Sequence, residues 1–165
     1  MGLLWDYHWS RLEAADMTFQ HLMDDPTDLV VSLNHPLASR VSVPMSELLE
    51  ELWVVRAEEH PMVEVLIRAS NQVGFQPRVA YEANDYQEAQ AMVAVGLGIS
   101  LVPRLALAVL REDVRVIPLA GAAPQRRILL ARMKDSKPTA AEEAMTAMLV
   151  DAARQLGDSG FRAAD

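Results

Sequence analysis

The sequence contains no cysteine among its 165 residues. That absence excludes disulfide bonds, thiol nucleophiles and cysteine-based zinc sites, and it suits the reducing cytoplasm, where we expect the protein to act. Half of the residues are hydrophobic and 23% are charged, which is the balance of a globular domain with a core.

Long apolar runs are also missing. No stretch approaches the roughly 20 apolar residues that a membrane span requires. The apolar start of the chain is interrupted by Asp6 and carries no basic segment. We therefore expect no signal peptide at this start and no membrane partner.

Positive charge is in deficit, with 15 Lys and Arg against 23 Asp and Glu, for a net charge of −8. A domain that binds DNA phosphates presents a basic face, because counterion release supplies much of its affinity. Here the basic residues are scattered, and the only adjacent pair is Arg126-Arg127. Direct DNA binding by this chain is not expected.

Motifs for catalysis and metal binding are missing as well. The four histidines form neither an H-x-x-x-H nor an H-E-x-x-H pair, and no G-x-S-x-G motif occurs. Glu58 and Glu59 are adjacent and would point apart rather than act as an acid–base pair. Gly96 and Gly98 lack the lysine or acidic partner that nucleotide motifs require. We expect no enzyme, no metal and no cofactor.

Apolar runs alternate with helical patterns along most of the chain. The strand-like runs are Asp28–Leu33, Leu52–Arg56, Pro77–Glu82, Gly98–Val102, Val114–Leu119 and Arg127–Met133. The predicted helices are Pro44–Leu52, one from Pro61 to a cap at Gly74, one from an N-cap at Asn84 to Gly96, one from Pro103 to about Arg111, and about Thr139–Leu156. Gln87 is the expected capping partner of Asn84.

This alternation predicts the α/β class with parallel, doubly wound sheets. Residues 34–131 form a complete α/β unit in this interpretation, and residues 1–33 and 132–165 flank it as a partial first lobe. Such nesting predicts two lobes joined by two crossing strands, with a cleft between them. Because the first lobe looks incomplete, we expect the chain to be a piece of a longer protein.

Five segments in register resemble the effector-binding (substrate-binding) region of LysR-type transcriptional regulators. They are His35-Pro36-Leu37-Ala38, Gly74-Phe75-Gln76-Pro77, the glycine-containing run from Val93 to Pro103, the strand Val116–Leu119, and Arg127–Arg132. Taken singly, each has a structural explanation such as a helix cap or a strand-to-helix turn. The resemblance implies a fold like that of periplasmic binding proteins and a small-molecule effector held between the lobes. It further implies a homo-oligomer, dimer or tetramer, whose DNA contacts come only from an N-terminal winged helix-turn-helix that is absent here.

Ligands of open α/β sheets gather at the carboxyl ends of strands and the amino ends of helices. Two such turns qualify, and the resemblance implies that both contact the effector; the third candidate is the aromatic segment near the start. The candidate ligand-binding residues are Arg56, Glu58, His60, Pro61 and Met62 in the first turn, Asn84, Asp85, Tyr86 and Gln87 in the second, and Trp5, Asp6 and Tyr7 near the start.

Structural alternatives stay open for some of these residues. Trp5 is equally suited to covering an incomplete core, and His60 beside Glu58 and Glu59 fits a solvated surface trio. Family members that sense aromatic carboxylates often carry an arginine where Trp5 aligns, so Arg56 would have to take that role. A solute-binding protein of a transport system shares the fold and is the alternative function.

Overall fold

The computed structural model describes residues 1–57, 60–121 and 123–158. Eight strands and three α-helices occur in these ranges. The strands are β1 Gly2–Asp6, β2 Met17–Ser32, β3 Val43–Pro44, β4 Leu52–Arg56, β5 Arg78–Ala83, β6 Ser100–Pro103, β7 Val114–Ala120 and β8 Gln125–Met133. The α-helices are α1 Pro61–Gln72, α2 Tyr86–Ala94 and α3 Ala140–Asp158, and two 3-10 helices cover Met45–Leu48 and Arg104–Leu107.

The chain divides into two compact units. One comprises Met1–Asp25 together with the described residues from Gln125 onward, and the other comprises Pro26–Pro124. The division predicted from the sequence placed these boundaries after residue 33 and before residue 132. Strand β2 contributes its first half to one unit and its second half to the other.

In the unit Pro26–Pro124, β2 pairs antiparallel with both β6 and β7, β3 pairs parallel with β7, and β4 pairs parallel with β5. The α/β class is confirmed, but the expectation of purely parallel sheets is wrong. Helix α1 joins β4 to β5, and a helical crossover makes its two strands parallel. No helix precedes β2, so the alternation pattern left its direction undetermined.

The core of this unit is aliphatic. Its fully buried residues include Leu29, Val30, Trp53, Leu66, Val93, Ile99 and Ile117. Gly98 lies at a close approach, because a Cβ at this position would stand 2.6 Å from the backbone oxygen of Leu52. A side chain at this position would therefore prevent the backbone from packing this closely against β4.

The other unit is built on β1, β8 and the first half of β2. Strand β1 pairs antiparallel with β8, from Gly2 opposite Ala131 to Asp6 opposite Arg127. Strand β2 begins at Met17, eleven residues before the predicted start at Asp28. The apolar residues of its first half are only half-buried and form no continuous run like that of its second half. Within the described ranges, no helix is both long and apolar enough to span a membrane.

Two predicted helices are shorter than expected. The segment after Pro44 makes one 3-10 turn, because Leu52 already pairs with Arg78 in the β4–β5 ladder. The segment after Pro103 also makes one 3-10 turn. Beyond this turn, two side chains of α2 form hydrogen bonds with the backbone. The carbonyl of Val109 accepts from the side-chain amides of Gln87 and Gln90, and the backbone N–H of Arg111 donates to the side-chain oxygen of Gln90.

Candidate functional site

The two turns expected to bind ligand lie side by side in the unit Pro26–Pro124. Strands β4 and β5 are parallel, and Arg56 at the end of β4 is in register with Ala83 at the end of β5. The backbone N–H of Ala57 donates to the carbonyl of Ala83 at 2.8 Å, which holds the two turns together. The amino ends of α1 and α2 therefore follow adjacent strand ends.

Tyr86, the first residue of α2, is contacted by two residues of the other turn. The guanidinium carbon of Arg56 lies 5.3 Å from the centroid of the Tyr86 ring. The imidazole of His60 meets the same ring edge-on, with 5.9 Å between centroids and an interplanar angle of 87°. We name Arg56, His60 and Tyr86 the RHY cluster. A cation over a tyrosine face is stabilised by about 0.5–1 kcal/mol at exposed sites.

Side chains cap both helices beside the RHY cluster. His60 Nδ1 accepts from Met62 N at 3.2 Å, with Pro61 at the first helical position. Because Nδ1 is the acceptor, the neutral imidazole carries its proton on Nε2. The carboxylate of Asp85 accepts from the backbone N–H groups of Gln87 and Glu88, both at 2.8 Å. The N-cap of α2 is thus Asp85, and the prediction of Asn84 is wrong by one residue.

The Nε of Arg56 has hydrogen-bonding capacity that no described residue uses. This nitrogen is buried and has no hydrogen-bond partner among the residues that the structure describes. A guanidinium that stacks on a ring and retains a free N–H favours an anionic acceptor, since charge-assisted hydrogen bonds are about twice as strong as neutral ones. The amino ends of two helices add positive potential beside it.

The other candidates in these turns contact residues of the same unit. Asn84 donates to the carboxylate of Glu88 from both its backbone N, at 2.7 Å, and its side chain, at 2.8 Å. The Gln87 amide donates to Val109 O at 3.0 Å. Met62 is buried in the core and Pro61 is exposed. Glu58 lies outside the described residues.

The three candidates near the start of the chain belong to the other unit. Trp5 is 44% exposed, and the guanidinium carbon of Arg126 lies 5.4 Å from its ring centroid. Tyr7 is buried and stacks on Trp9, with 4.7 Å between ring centroids.

Asp6 is buried and fully engaged. Its carboxylate accepts hydrogen bonds from Nε and a terminal nitrogen of Arg127 at 2.8 and 2.7 Å. It also accepts from the backbone N–H of Leu12 at 3.0 Å. Arg126 bonds Asp25 at 2.8 Å. The sequence showed Arg126-Arg127 only as a charge pair; strand alternation is the signal that assigns the two side chains to opposite faces. Within the described part of the chain, no group of three or more His, Asp or Glu side chains is arranged to hold a metal ion.

Comparison with known proteins found a matching family model and similar regulators. The family described as LysR substrate binding domain matches residues 6–154. The transcriptional dual regulator GltC of Bacillus subtilis is 32% identical over 89 residues, 54% of this chain and 30% of its own length. A hydrogen peroxide-inducible genes activator of Dickeya chrysanthemi is 31% identical over 111 residues, 66% of this chain and 36% of its own length. The chain thus spans about a third of the length of these relatives.

Solved structures share the fold. The regulatory domain of Synechocystis CcmR in complex with 2-PG superposes with a TM-score of 0.76 at 19% identity, over 92% of this chain and 73% of that one. The effector binding domain of QuiR in complex with shikimate gives a TM-score of 0.69 at 21% identity, over 88% of this chain and 70% of that one.

Proposed function

Because the chain belongs to the LysR substrate binding domain family, we propose that it senses a small-molecule effector for a LysR-type bacterial transcription regulator. In this proposal the effector controls DNA binding by the parent protein, and the chain itself neither catalyses a reaction nor contacts DNA. The parent is a cytoplasmic homo-oligomer whose DNA-binding domain lies in the part of its sequence not present here.

The observation that carries the proposal is the RHY cluster at the adjacent ends of β4 and β5. It combines the buried Nε of Arg56, which has no hydrogen-bond partner among the described residues, with a tyrosine ring at the amino end of a helix. We propose that Arg56 receives an anionic group of the effector and that Tyr86 packs against its carbon skeleton. In the other unit, Trp5, Asp6 and Tyr7 remain proposed effector contacts. The remaining candidate residues of the two turns are proposed effector contacts as well.

Two of the similar structures support a small-molecule effector. CcmR was solved in complex with 2-PG and QuiR in complex with shikimate. The relatives named above are transcription regulators, which favours this proposal over a solute-binding protein of a transport system. An effector shifts the equilibrium between two arrangements of a regulator only by as much as its affinities for those two arrangements differ.

The test begins with thermal unfolding of the chain in the presence of small carboxylates, sugar phosphates and neutral sugars. A compound that raises the midpoint is then titrated calorimetrically against the wild type, Arg56→Ala and Tyr86→Ala. We expect at least a tenfold weaker affinity for Arg56→Ala, since a hydrogen bond to a charged group contributes about 1.5–3 kcal/mol. Arg115→Ala, an exposed arginine on β7, is the matched control and should bind normally. Unchanged affinity in both cluster variants would remove this site.

A further inference from the structure

The backbone N–H groups at the start of α1 are already engaged within the protein. Pro61, at the first helical position, has no N–H. Met62 N, at the second position, donates to His60 Nδ1 at 3.2 Å, and Val63 N, at the third, donates to the carbonyl of His60 at 2.9 Å. The first three positions of α1 therefore leave no backbone donor to receive an anionic ligand.

Asp85 closes the start of α2 in a different way. One of its carboxylate oxygens accepts from the backbone N–H groups of Gln87 and Glu88, both at 2.8 Å. These N–H groups belong to the second and third helical positions, where the amino end of a helix commonly holds a bound phosphate or carboxylate. The carboxylate also places a full negative charge against the positive end of the α2 dipole. Asp85 thus takes the place of a bound anion.

The charges around Tyr86 are unequal in sign. Arg56 supplies one positive charge, with its guanidinium carbon 5.3 Å from the centroid of the Tyr86 ring. Asp85 directly precedes Tyr86, and Glu88 lies in the first turn of the same helix, where its carboxylate accepts from Asn84 N at 2.7 Å. A ligand with one negative charge can pair with the guanidinium, whereas a second negative charge is repelled by these carboxylates.

We infer that Asp85 makes the site selective, so that it admits a ligand with a single carboxylate and disfavours a phosphate ester. A phosphate ester has three acceptor oxygens and carries close to two negative charges at about pH 7.5, because its second pKa is about 6. The helix N–H groups that would satisfy those oxygens already donate to Asp85 and His60. A carboxylate needs only the paired N–H groups of one guanidinium. The inference rests on the proposed function, since it requires the effector to contact Arg56.

The test uses pairs of ligands that share a skeleton and differ at the anionic end. The pairs are phenylacetate with phenyl phosphate, cyclohexylacetate with cyclohexyl phosphate, and hexanoate with butyl phosphate. Dissociation constants are measured at about pH 7.5 by chemical-shift titration of the isotope-labelled chain, where the phosphates are close to doubly charged. In every pair that binds, we expect the carboxylate to bind the wild type about tenfold more tightly than the phosphate.

Asp85→Asn separates the charge of this residue from its capping role. Asparagine is as good an N-cap as aspartate, so the variant keeps an acceptor for the N–H groups of α2 while it removes the negative charge. The preference for the carboxylate should fall by about threefold or more, through tighter binding of the phosphate. Asp135→Asn removes the same charge from an exposed turn of the other unit and should leave the preference unchanged.

Circular dichroism first verifies that each variant is folded, and Asp85→Ser, another neutral cap, replaces Asp85→Asn if that variant does not fold. Equal or tighter binding of the phosphates, or a preference that Asp85→Asn leaves unchanged, overturns the inference. The effector site itself still stands in that case if Arg56→Ala weakens binding of the probes. If no probe binds, or if Arg56→Ala binds all of them normally, the site at Arg56 is refuted and the inference falls with it.

Discussion

The guanidinium of Arg56 lies over the ring of Tyr86, with 5.3 Å between its carbon and the ring centroid. This contact links the last residue of β4 to the first residue of α2, two elements joined through the parallel β4–β5 pair. The two residues are thirty positions apart in sequence, and the contact arises because both lie at neighbouring strand ends. It places a cation and an aromatic face together at the amino ends of two helices.

Removing both partners of this contact measures its strength. We expect Arg56→Ala and Tyr86→Ala to show a coupling free energy of about 0.5–1 kcal/mol in a double-mutant cycle of urea unfolding, since the pair is partly exposed. Tyr86→Phe, which retains the ring face, should retain most of the coupling. A cycle between Arg115→Ala and Tyr86→Ala serves as the control and should give a value near zero. Equal coupling in both cycles would refute the contact.

Replacing His60 tests its role as the cap of α1. His60 Nδ1 accepts from Met62 N, so His60→Ala leaves that N–H without its acceptor and should lower the free energy of unfolding by about 1 kcal/mol. His60→Asn supplies another capping oxygen and should recover most of the loss. Chemical denaturation of both variants makes the measurement. If His60→Asn is as unstable as His60→Ala, the histidine stabilises the chain through its ring contact instead.

Replacing Asp6 tests whether this residue stabilises the fold or binds the effector. Asp6→Ala leaves the charge of Arg127 without its buried partner, and removing one member of a buried pair costs about 3–5 kcal/mol. Arg127 is 32% exposed, so water screens part of that penalty and we expect about 2 kcal/mol. The double variant Asp6→Leu/Arg127→Met should be more stable than Asp6→Ala in urea unfolding. A stable Asp6→Ala chain with weakened effector binding would instead assign Asp6 to the ligand.

The start of α3 should respond to acid. The backbone N–H of Thr139 and then its hydroxyl donate to the carboxylate of Glu142, and these bonds hold the pKa of Glu142 below its usual 4.5. A lowered folded-state pKa means that the stabilisation is complete above about 4.5, the pKa of the unfolded chain, and is lost as the pH falls through the folded-state value.

Glu142→Gln removes this titration. The wild type should therefore be more stable than the variant near neutral pH, and the difference should shrink as the pH falls below about 4.5. Unfolding midpoints of the two proteins across this pH range make the comparison. A difference that does not change with pH would show that the carboxylate charge does not contribute.

Locally encoded features of the fold were predictable. The bounds of β4 and the start of α1 at Pro61 are confirmed, because a β-branched run and a proline at the first helical position act through the local backbone. The long β2 was only partly predicted, since the apolar residues of its first half form no continuous run. The helix expected from Pro103 to about Arg111 is only the 3-10 turn Arg104–Leu107, and beyond it Gln90 of α2 bonds the backbone.

The candidate site was also only partly predictable from the sequence. Its position at the ends of β4 and β5 follows from the general behaviour of α/β sheets and was predictable from the order of the elements. Which side chains remain available in the turns was not predictable. Gln87 is engaged by Val109 and Met62 by the core, whereas Arg56 retains an unpartnered Nε among the described residues. Those outcomes depend on neighbours that are distant in sequence.

The sequence by itself therefore determined the α/β class, the family resemblance and the two turns, because propensity, capping and apolar patterning act over a few residues. The tertiary structure decided the direction of β2 against its neighbours, the pairing of Asp6 with Arg127, and the meeting of Arg56, His60 and Tyr86. Asp6 and Arg127 are 121 positions apart, and such contacts form only when the strand register brings the residues together. Register is set by the whole core and by strand pairing, which no local pattern encodes.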